Sequence, residues 1–600
     1  MRFLLILLLG VALVLHLGGE VFSVPKAQAA DSAKSDATAN NAIPAGADSA
    51  TTVAPVSERV AINVLWTLVT AFLVILMQAG FAMVETGLTR SKNVTHTMTM
   101  NLMVYALGAL AYFAIGFALM FGGCGEAAML GNGAPLCKEV AISLFGHPIG
   151  LFGWKGFFLS GAAADVGLLT LFFSQAVLAN VSATIPTGAL AERWKFRAFV
   201  HCAIIMTAIV YPIFGNWVWG GGWLSQLGTN FGLGQGFKDF AGSSVIHMTG
   251  GVAALAGCHI LGPRIGKYNR DGSLNVLLPH SVPMYMAGTL ILAFGWFGLT
   301  AGRAMIGNDL IVGRVATNTM LASAAGAVAA MIYMGILYKK PDPSFMCNGL
   351  LAGLVAISAP CAYVSPLAAV VIGLVAGVLV VWSVLFLERA TRLDDPVGAI
   401  SIHGINGAWG VLAVGLFADG SYGQVSGLFY GNGSQLAAQV VGLLANLIWV
   451  FGASYLFFKI IGAHVGNRVG PTTELQGLDV PELGVVGYFN EDPAAAKGSL
   501  TRQIAEPRAA TAPPPMSENR FSIVIEGADA PLVKAAWNEL CQPSDRPSDP
   551  DFVALYPLMT LIKGNRFRFR GGNAEDVRSR LERLLTNRLP GKQVRARVEI

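Results

Sequence analysis

Charge is what this sequence has least of. Only 12% of its 600 residues are Asp, Glu, Lys or Arg, about half of the roughly 25% usual in a soluble domain. With 54% hydrophobic residues, that balance excludes a fold wetted on every side and points to a bilayer as the main solvent. Cysteine is sparse too: seven residues spread over such a length exclude a disulfide framework. Only Cys124 and Cys137 share one loop between apolar runs, where an oxidising exterior permits a bridge. The other five read as small buried hydrophobes or, for Cys541, as a cytosolic thiol. There is no phosphate loop, nucleophile motif or metal-ligand cluster, so neither an enzymatic reaction nor a metal or cofactor is expected. The net charge of +5 does not indicate nucleic acid, because Lys and Arg sit in short clusters between apolar runs rather than on one basic face.

What is present is a series of long apolar runs. Eleven of them, each near the ~20 residues that a spanning helix needs, lie between residues 60 and 462, centred near Ile75, Leu110, Val177, Ile205, Ala253, Ala293, Ala327, Ala356, Val375, Ala408 and Leu447. Arg90/Lys92, Arg193/Lys195/Arg197, Arg264/Lys267/Arg270, Lys339/Lys340 and Arg389/Arg392 fall in alternate loops, which places those loops in the cytoplasm. Ahead of the first run, Arg2, the apolar stretch Phe3 to Leu15 and the small-residue site Ala27-Gln28-Ala29-Ala30 have the layout of a secretory signal peptide. The two signals agree on a multi-pass protein of the cell (inner) membrane with its N-terminus outside and its C-terminus cytoplasmic.

The predicted organisation is a signal peptide (1–30), a disordered external segment (31–56), an all-α polytopic membrane domain (57–465), a cytoplasmic C-terminal region and linker (466–516) and a small α+β domain (517–600). In that last domain the pattern is strand, helix, two strands about Lys563-Gly564-Asn565, a helix capped by Asn573 with Val577, Leu581, Leu584 and Leu585 on one face, and a strand from Val594. The order βαββαβ is that of a ferredoxin-like sandwich. Arg566, Arg568 and Arg570 lie on one side of a strand and Phe567 and Phe569 on the other.

His247 and His403 are the leading functional candidates. Each sits near the centre of an apolar run, in the fifth and tenth spans, and a neutral imidazole offers one donor and one acceptor there. Taken alone, either reads as a satisfied core histidine. Their matching places in two five-helix blocks of opposite starting orientation indicate an inverted repeat, with the substrate path at its interface.

Several short segments, in order along the predicted helices, resemble the ammonium transporter (Amt/Mep/Rh) family over residues 60 to 490. They are Met77-Gln78-Ala79-Gly80-Phe81 with Ser91-Lys92-Asn93, Gly188-Ala189-Leu190-Ala191-Glu192-Arg193 and Trp219-Gly220-Gly221-Gly222-Trp223. Two more are Asp239-Phe240-Ala241-Gly242 before His247, and Asp394-Asp395-Pro396 before His403-Gly404. The resemblance implies the ammonium transporter fold, a homotrimer with one pore per subunit, a twin-histidine pore at His247 and His403, and a role in nitrogen metabolism. It also implies an outer ammonium site at Trp219 and Asp239, and structural roles for Trp296, Asp394 and Asp395. Read without it, Trp219 is an interfacial belt residue and Asp239 a helix N-cap.

The departures from the family pattern bear on function. Leu178 and Leu299 stand where the two gate phenylalanines are expected, and Arg303 stands where a serine would bind ammonium, unless it points outward into the loop before Asp309. Gly477-Leu478-Asp479 with Gly487-Tyr488 resembles the family's cytoplasmic C-terminal region, with Leu483 and Val485 replacing its usual histidine and glutamate. The function implied is ammonium/ammonia transport. The alternative is an ammonium sensor or weakly conducting receptor that signals through the C-terminal domain, with a cytoplasmic regulatory partner such as a PII-type protein.

Overall fold

The computed structural model describes residues 57–123, 130, 136–269, 271–305, 307, 309–488, 520–540, 551, 555, 559–563, 565–570, 573–589 and 592–599. The expected signal peptide, the lead-in to residue 56, Cys124 and Cys541 lie outside them.

Helix starts follow local chemistry. Ser57, Asp165, Ser281, Asp342 and Ser365 each accept a backbone N–H of the first turn that follows, and Pro343 and Pro366 occupy first helical positions, where the missing N–H costs nothing. Among the described residues, eleven helices result at the expected centres. They are α1 (Glu58–Leu88), α2 (Ser91–Phe121), α3 (Val166–Ala189), α4 (Phe196–Trp219), α5 (Ser243–Leu261), α6 (Val282–Gly302), α7 (Ile311–Tyr338), α8 (Pro343–Ser358), α9 (Pro366–Thr391), α10 (Ile400–Phe417) and α11 (Gly433–His464). Ten are long and apolar enough to cross a bilayer; α8, at 16 residues, is shorter.

Glycine sets how closely the first helix of each repeat packs. A Cβ on Gly80 or Gly87 of α1, or on Gly288, Gly295 or Gly298 of α6, would lie within 2.9 Å of atoms of the facing helix. The seven-residue spacings 80/87 and 288/295 keep this seam on one face, the form of packing expected where lipid offers no hydrophobic drive.

Between α2 and α3 a hairpin of β1 (Glu139–Leu144) and β2 (His147–Gly153) covers one end of the bundle. Its two-residue loop, Phe145 and Gly146, has positive φ at both positions, the twist that a tight antiparallel hairpin requires. The hairpin is anchored by Trp217 Nε1 donating to Leu151 O at 2.8 Å. Cys137, just before it, is disulfide-bonded.

At the opposite end the basic loops are tied together by α12 (Pro471–Gln476) and the turn Asp479–Leu483. Lys92 Nζ donates to Glu474 O, Ile265 N to Glu474 Oε1, His96 N to Asp479 Oδ1, Leu478 N to Asn93 Oδ1 and Phe196 N to Glu482 Oε2, at 2.6 to 3.0 Å.

The tail contains β3 (Arg520–Glu526), α13 (Ala530–Leu540), β4 (Met559–Lys563), β5 (Arg566–Arg570), α14 (Ala574–Arg588) and β6 (Arg595–Glu599). Its sheet order is β4-β5-β3-β6, antiparallel throughout, the ferredoxin-like arrangement expected from βαββαβ. Ile523, Ile525, Val533, Trp537, Phe567, Phe569 and the apolar face of α14 form a core of their own, while Arg566 and Arg568 are exposed. Asn573 caps α14 through Glu575 N at 3.0 Å.

Candidate functional site

Two aspartates build the centre of the bundle. Asp239 Oδ1 accepts from Gly242 N and Ser243 N, and Oδ2 accepts from Ser244 N, Ser244 Oγ and Val245 N, all between 2.6 and 3.0 Å. This satisfies the orphan amides at the start of α5. Asp395 does the same for α10 through Gly398 N at 3.0 Å and Ile400 N at 2.7 Å. Each helix then opens with a π-helical turn, Ser243–Met248 and Ile400–Ile405, which carries His247 and His403 respectively. One device thus occurs twice with opposite polarity, as the inverted repeat requires.

The histidines meet. His403 Nδ1 lies 3.3 Å from His247 Nδ1, with ring centroids 5.3 Å apart and 23° between planes, so the rings meet edge to edge, both buried in the apolar core. Backbone approach makes this possible: a Cβ on Gly251 would lie 2.2 Å from Gly404 N. Trp296 stacks on the His247 ring at 4.6 Å and is fixed by Nε1 donating to Ser358 Oγ at 3.0 Å. Phe81 of α1 lies 6.0 Å from the His403 ring.

Above the pair, Leu178, Leu299 and Arg303 line one cavity of about 20 Å³ with Thr70, Val74 and Gln175, space for about one water. Beyond it, at the hairpin end, a vestibule of about 760 Å³ is lined by Trp219, Asp239, Phe240, Arg303, Tyr363 and Tyr422 among others. Trp219 Nε1 donates to Asp239 O at 2.7 Å, which fixes the plane of the indole. The Arg303 guanidinium lies over that indole, 4.4 Å from its centroid. Arg303 therefore points into the vestibule and not outward, and it stacks on the ring to which a cation would be drawn.

Asp394 belongs to the other end. Arg264 donates to both of its oxygens at 2.8 Å and reaches Glu192 at 3.0 Å, Glu192 also pairs with Arg90, and Arg193 Nη2 donates to Asp394 O at 2.7 Å. Burial alone would raise the Asp394 carboxyl, but Arg264 outweighs it and holds the group well below the usual carboxylate range. Burial opposes the charge on Arg264 too, and Asp394 with Glu192 overcomes it, raising the guanidinium further. Burial pushes the Asp395 carboxyl up against its backbone donors.

Apart from Cys137 beside the hairpin, the expected site residues within the described part fall in these two groups: Trp219, Asp239, Arg303, Leu178, Leu299, His247, His403, Trp296 and Asp395 along one line, and Asp394 in the ion network. Two groups were missed in the sequence. In the sequence Arg264 and Glu192 stand out only as loop charge and motif. Glu85, a carboxylate inside an apolar run, carried the signal that any ionisable residue in a span carries.

The model of the Ammonium Transporter Family matches residues 65–488. Ammonium transporter Amt2 of Archaeoglobus fulgidus is 43% identical over 438 residues, 72% of this chain and 88% of that protein. Ammonium transporter Amt1 of Haloferax mediterranei is 36% identical over 442 residues, 71% and 79% of the two chains. Among solved structures, a Sensor Amt Protein is 37% identical with a TM-score of 0.63, covering 71% of this chain and 99% of its own. Candida albicans Mep2 is 25% identical with a TM-score of 0.59, covering 73% and 93%.

Proposed function

Since this chain belongs to the ammonium transporter family, a multi-pass membrane family, we propose that it takes up ammonium at the Trp219 vestibule and passes ammonia along the His247–His403 line, with Arg303 holding the vestibule shut at rest. The histidine pair carries this reading: two buried rings at hydrogen-bonding range, each aimed by an aspartate-capped π-turn. An ion entering hydrocarbon meets an idealised Born cost on the order of 20 kcal/mol, so the physical route is to leave the proton behind and cross as a neutral molecule. Neutral imidazoles suit that task, since one ring nitrogen donates where the other accepts.

Arg303 sets the rate. A guanidinium is always charged and accepts no hydrogen bond, and at 4 Å with an effective dielectric near 20 it repels an arriving cation by ~4 kcal/mol. Leu178 and Leu299 exclude water below it without offering a cation any ring face. The vestibule with the hairpin faces outside and the basic loops with the tail face the cytoplasm, as the distribution of Lys and Arg requires. The chain works as a homotrimer in the inner membrane after removal of its signal peptide, serves nitrogen metabolism and meets a PII-type regulatory partner on the cytoplasmic side. Residues 517–600 form a separate domain.

The test is ammonium flux into proteoliposomes at matched protein per vesicle. Arg303→Ser is expected to raise it about thirtyfold, the effect of relieving ~2 kcal/mol of repulsion. Flux equal to wild type would remove Arg303 from the pathway.

A second reading, an ammonium sensor or weakly conducting receptor signalling through the tail, is favoured by the guanidinium seated over Trp219 and by the likeness to a Sensor Amt Protein. In that case Arg303→Ser binds ammonium more tightly without carrying it.

A further inference from the structure

Glu85 lies one helical turn beyond Phe81 on α1, on the basic-loop side of the histidine pair. It is 2% exposed, and Gly188 packs so closely against it that a Cβ there would lie 3.0 Å from the Glu85 carboxyl carbon. None of the ion pairs formed by described residues at this end of the bundle includes it: Arg90 and Arg264 pair with Glu192 and Asp394. Its side-chain partners are neutral. Asn101 Nδ2 donates to Oε2 at 2.6 Å, and Thr187 Oγ1 lies 2.9 and 2.7 Å from Oε1 and Oε2. The Gly188 amide adds a backbone donor.

The hydrogens at Thr187 do not suffice for an ionised carboxyl. Its Oγ1 is also 2.6 Å from Thr184 O, and a threonine hydroxyl has one proton for these contacts. If that proton goes to Thr184 O, the close approach to Glu85 places oxygen against oxygen with nothing between them, unless Glu85 supplies the hydrogen. A carboxylate without a cation inside a span is costly as well. Hydrogen count and charge thus give the same answer.

The other titratable groups on elements packed here do not offset a negative charge. Asp395, before α10, acts on Glu85 with the same sign. His96 on α2 has no hydrogen-bond partner for either ring nitrogen among the described residues, and Tyr285 on α6 is bonded to Asn348. Beside the carboxyl, Asn101 Oδ1 and Thr97 Oγ1 are buried and likewise unpartnered among the described residues. Such atoms call for water, which is the material of a proton feed.

We propose that Glu85 is held as a carboxylic acid and is the proton donor on the inner side of the histidine pair. Its O–H bond breaks as an N–H bond forms on the ammonia that leaves His403, ammonium departs, and the carboxylate left behind regains a proton from hydronium or water reaching it past Asn101 and Thr97. This rests on the transport reading above, and it names the group that restores the charge left outside.

The experiment is infrared difference spectroscopy on the reconstituted full chain. A carbonyl band of a protonated carboxylic acid is expected to persist above neutral pH, to shift in D2O and to be lost in Glu85→Gln. Thr187→Val, which keeps the carboxyl and removes its hydroxyl partner, is expected to move that band. A spectrum in which neither substitution alters a protonated-carboxyl band overturns the proposal. In an Arg303→Ser background, Glu85→Gln is expected to lower ammonium flux about a hundredfold, within the range of general acid–base effects, and to flatten its dependence on the pH inside the vesicle. Unchanged flux and pH dependence overturn the donor role. The band is read without any flux, so a chain that does not transport but shows it sinks the transport reading and leaves the protonated Glu85 standing.

Discussion

Arg264 is one side chain between two buried carboxylates, Asp394 and Glu192, and its removal leaves Asp394 without its main compensation and Glu192 with Arg90 alone. Breaking a buried pair from one side costs roughly 3–5 kcal/mol, so Arg264→Met is expected to lower the unfolding temperature of the purified protein far more than substitution of an exposed loop arginine such as Arg389. The same contact dictates an acid limb. Asp394 is held below the carboxylate range in the folded state. Its contribution to stability is therefore complete above about pH 4, where the unfolded group is ionised, and is lost as pH falls toward the lower folded value. Thermal unfolding followed on acidification is expected to show a flatter limb in Asp394→Asn. Arg303 shows the limit of reading single residues from sequence. Its position at the end of α6 was legible, but its side chain could turn outward or into the vestibule with equal chain geometry, and only the packing over Trp219 decides.

At the scale of elements, α5 and α10 cross where Gly251 meets Gly404, and this crossing sets the distance between the histidines. A methyl on Gly251 would lie 2.2 to 2.9 Å from backbone atoms of residues 403 and 404, so the helices must part. Overpacking of this kind costs about 1–3 kcal/mol, and Gly251→Ala is expected to fold with lower stability and to lose most of the flux seen in an Arg303→Ser background. The helices themselves were legible because twenty apolar residues admit few alternatives in a bilayer, and the histidines because two of them occupy matching places. The hairpin was not. Its turn is Phe145-Gly146 and not the Asn-Gly or Asp-Gly that signals such a turn, and its strands lie in a loop that composition does not distinguish from coil. That hairpin carries its own pH dependence. Burial raises the Glu139 carboxyl to about 7, against a hydrogen bond with Asn216. The folded hairpin therefore prefers the protonated acid, and its stability declines as pH rises from the ordinary carboxylate range through about 7. Amide exchange across Glu139–Gly153, corrected for intrinsic rate, is expected to speed up over that interval in wild type and to stay level in Glu139→Gln.

At the scale of the whole molecule the chain divides by solvent. The bundle is built for a bilayer, and the network of Arg90, Glu192, Arg264 and Asp394 at its basic-loop end is continuous with the segment 471–483 that bonds the loops of α2, α4 and α5. The tail has a soluble pattern instead: alternating strands, one apolar face per helix and a core that, among the described residues, begins at Ile523. A unit of that size is marginal unless its core is well packed, and here Trp537 meets Phe567 edge-on at 5.3 Å while Phe567 pairs with Ile523 across the two central strands. The fragment 517–600 is therefore expected to fold by itself, with a cooperative thermal transition and slow amide exchange in β3 and β5; rapid, uniform exchange would show that it depends on the rest of the chain. Phe567→Ala tests the same core from inside. Deleting a buried phenyl ring costs about 3–5 kcal/mol, comparable to the whole stability of a small domain. The variant fragment is expected to be largely unfolded at room temperature, whereas the same substitution in the full chain leaves the distance between His247 and His403 unchanged.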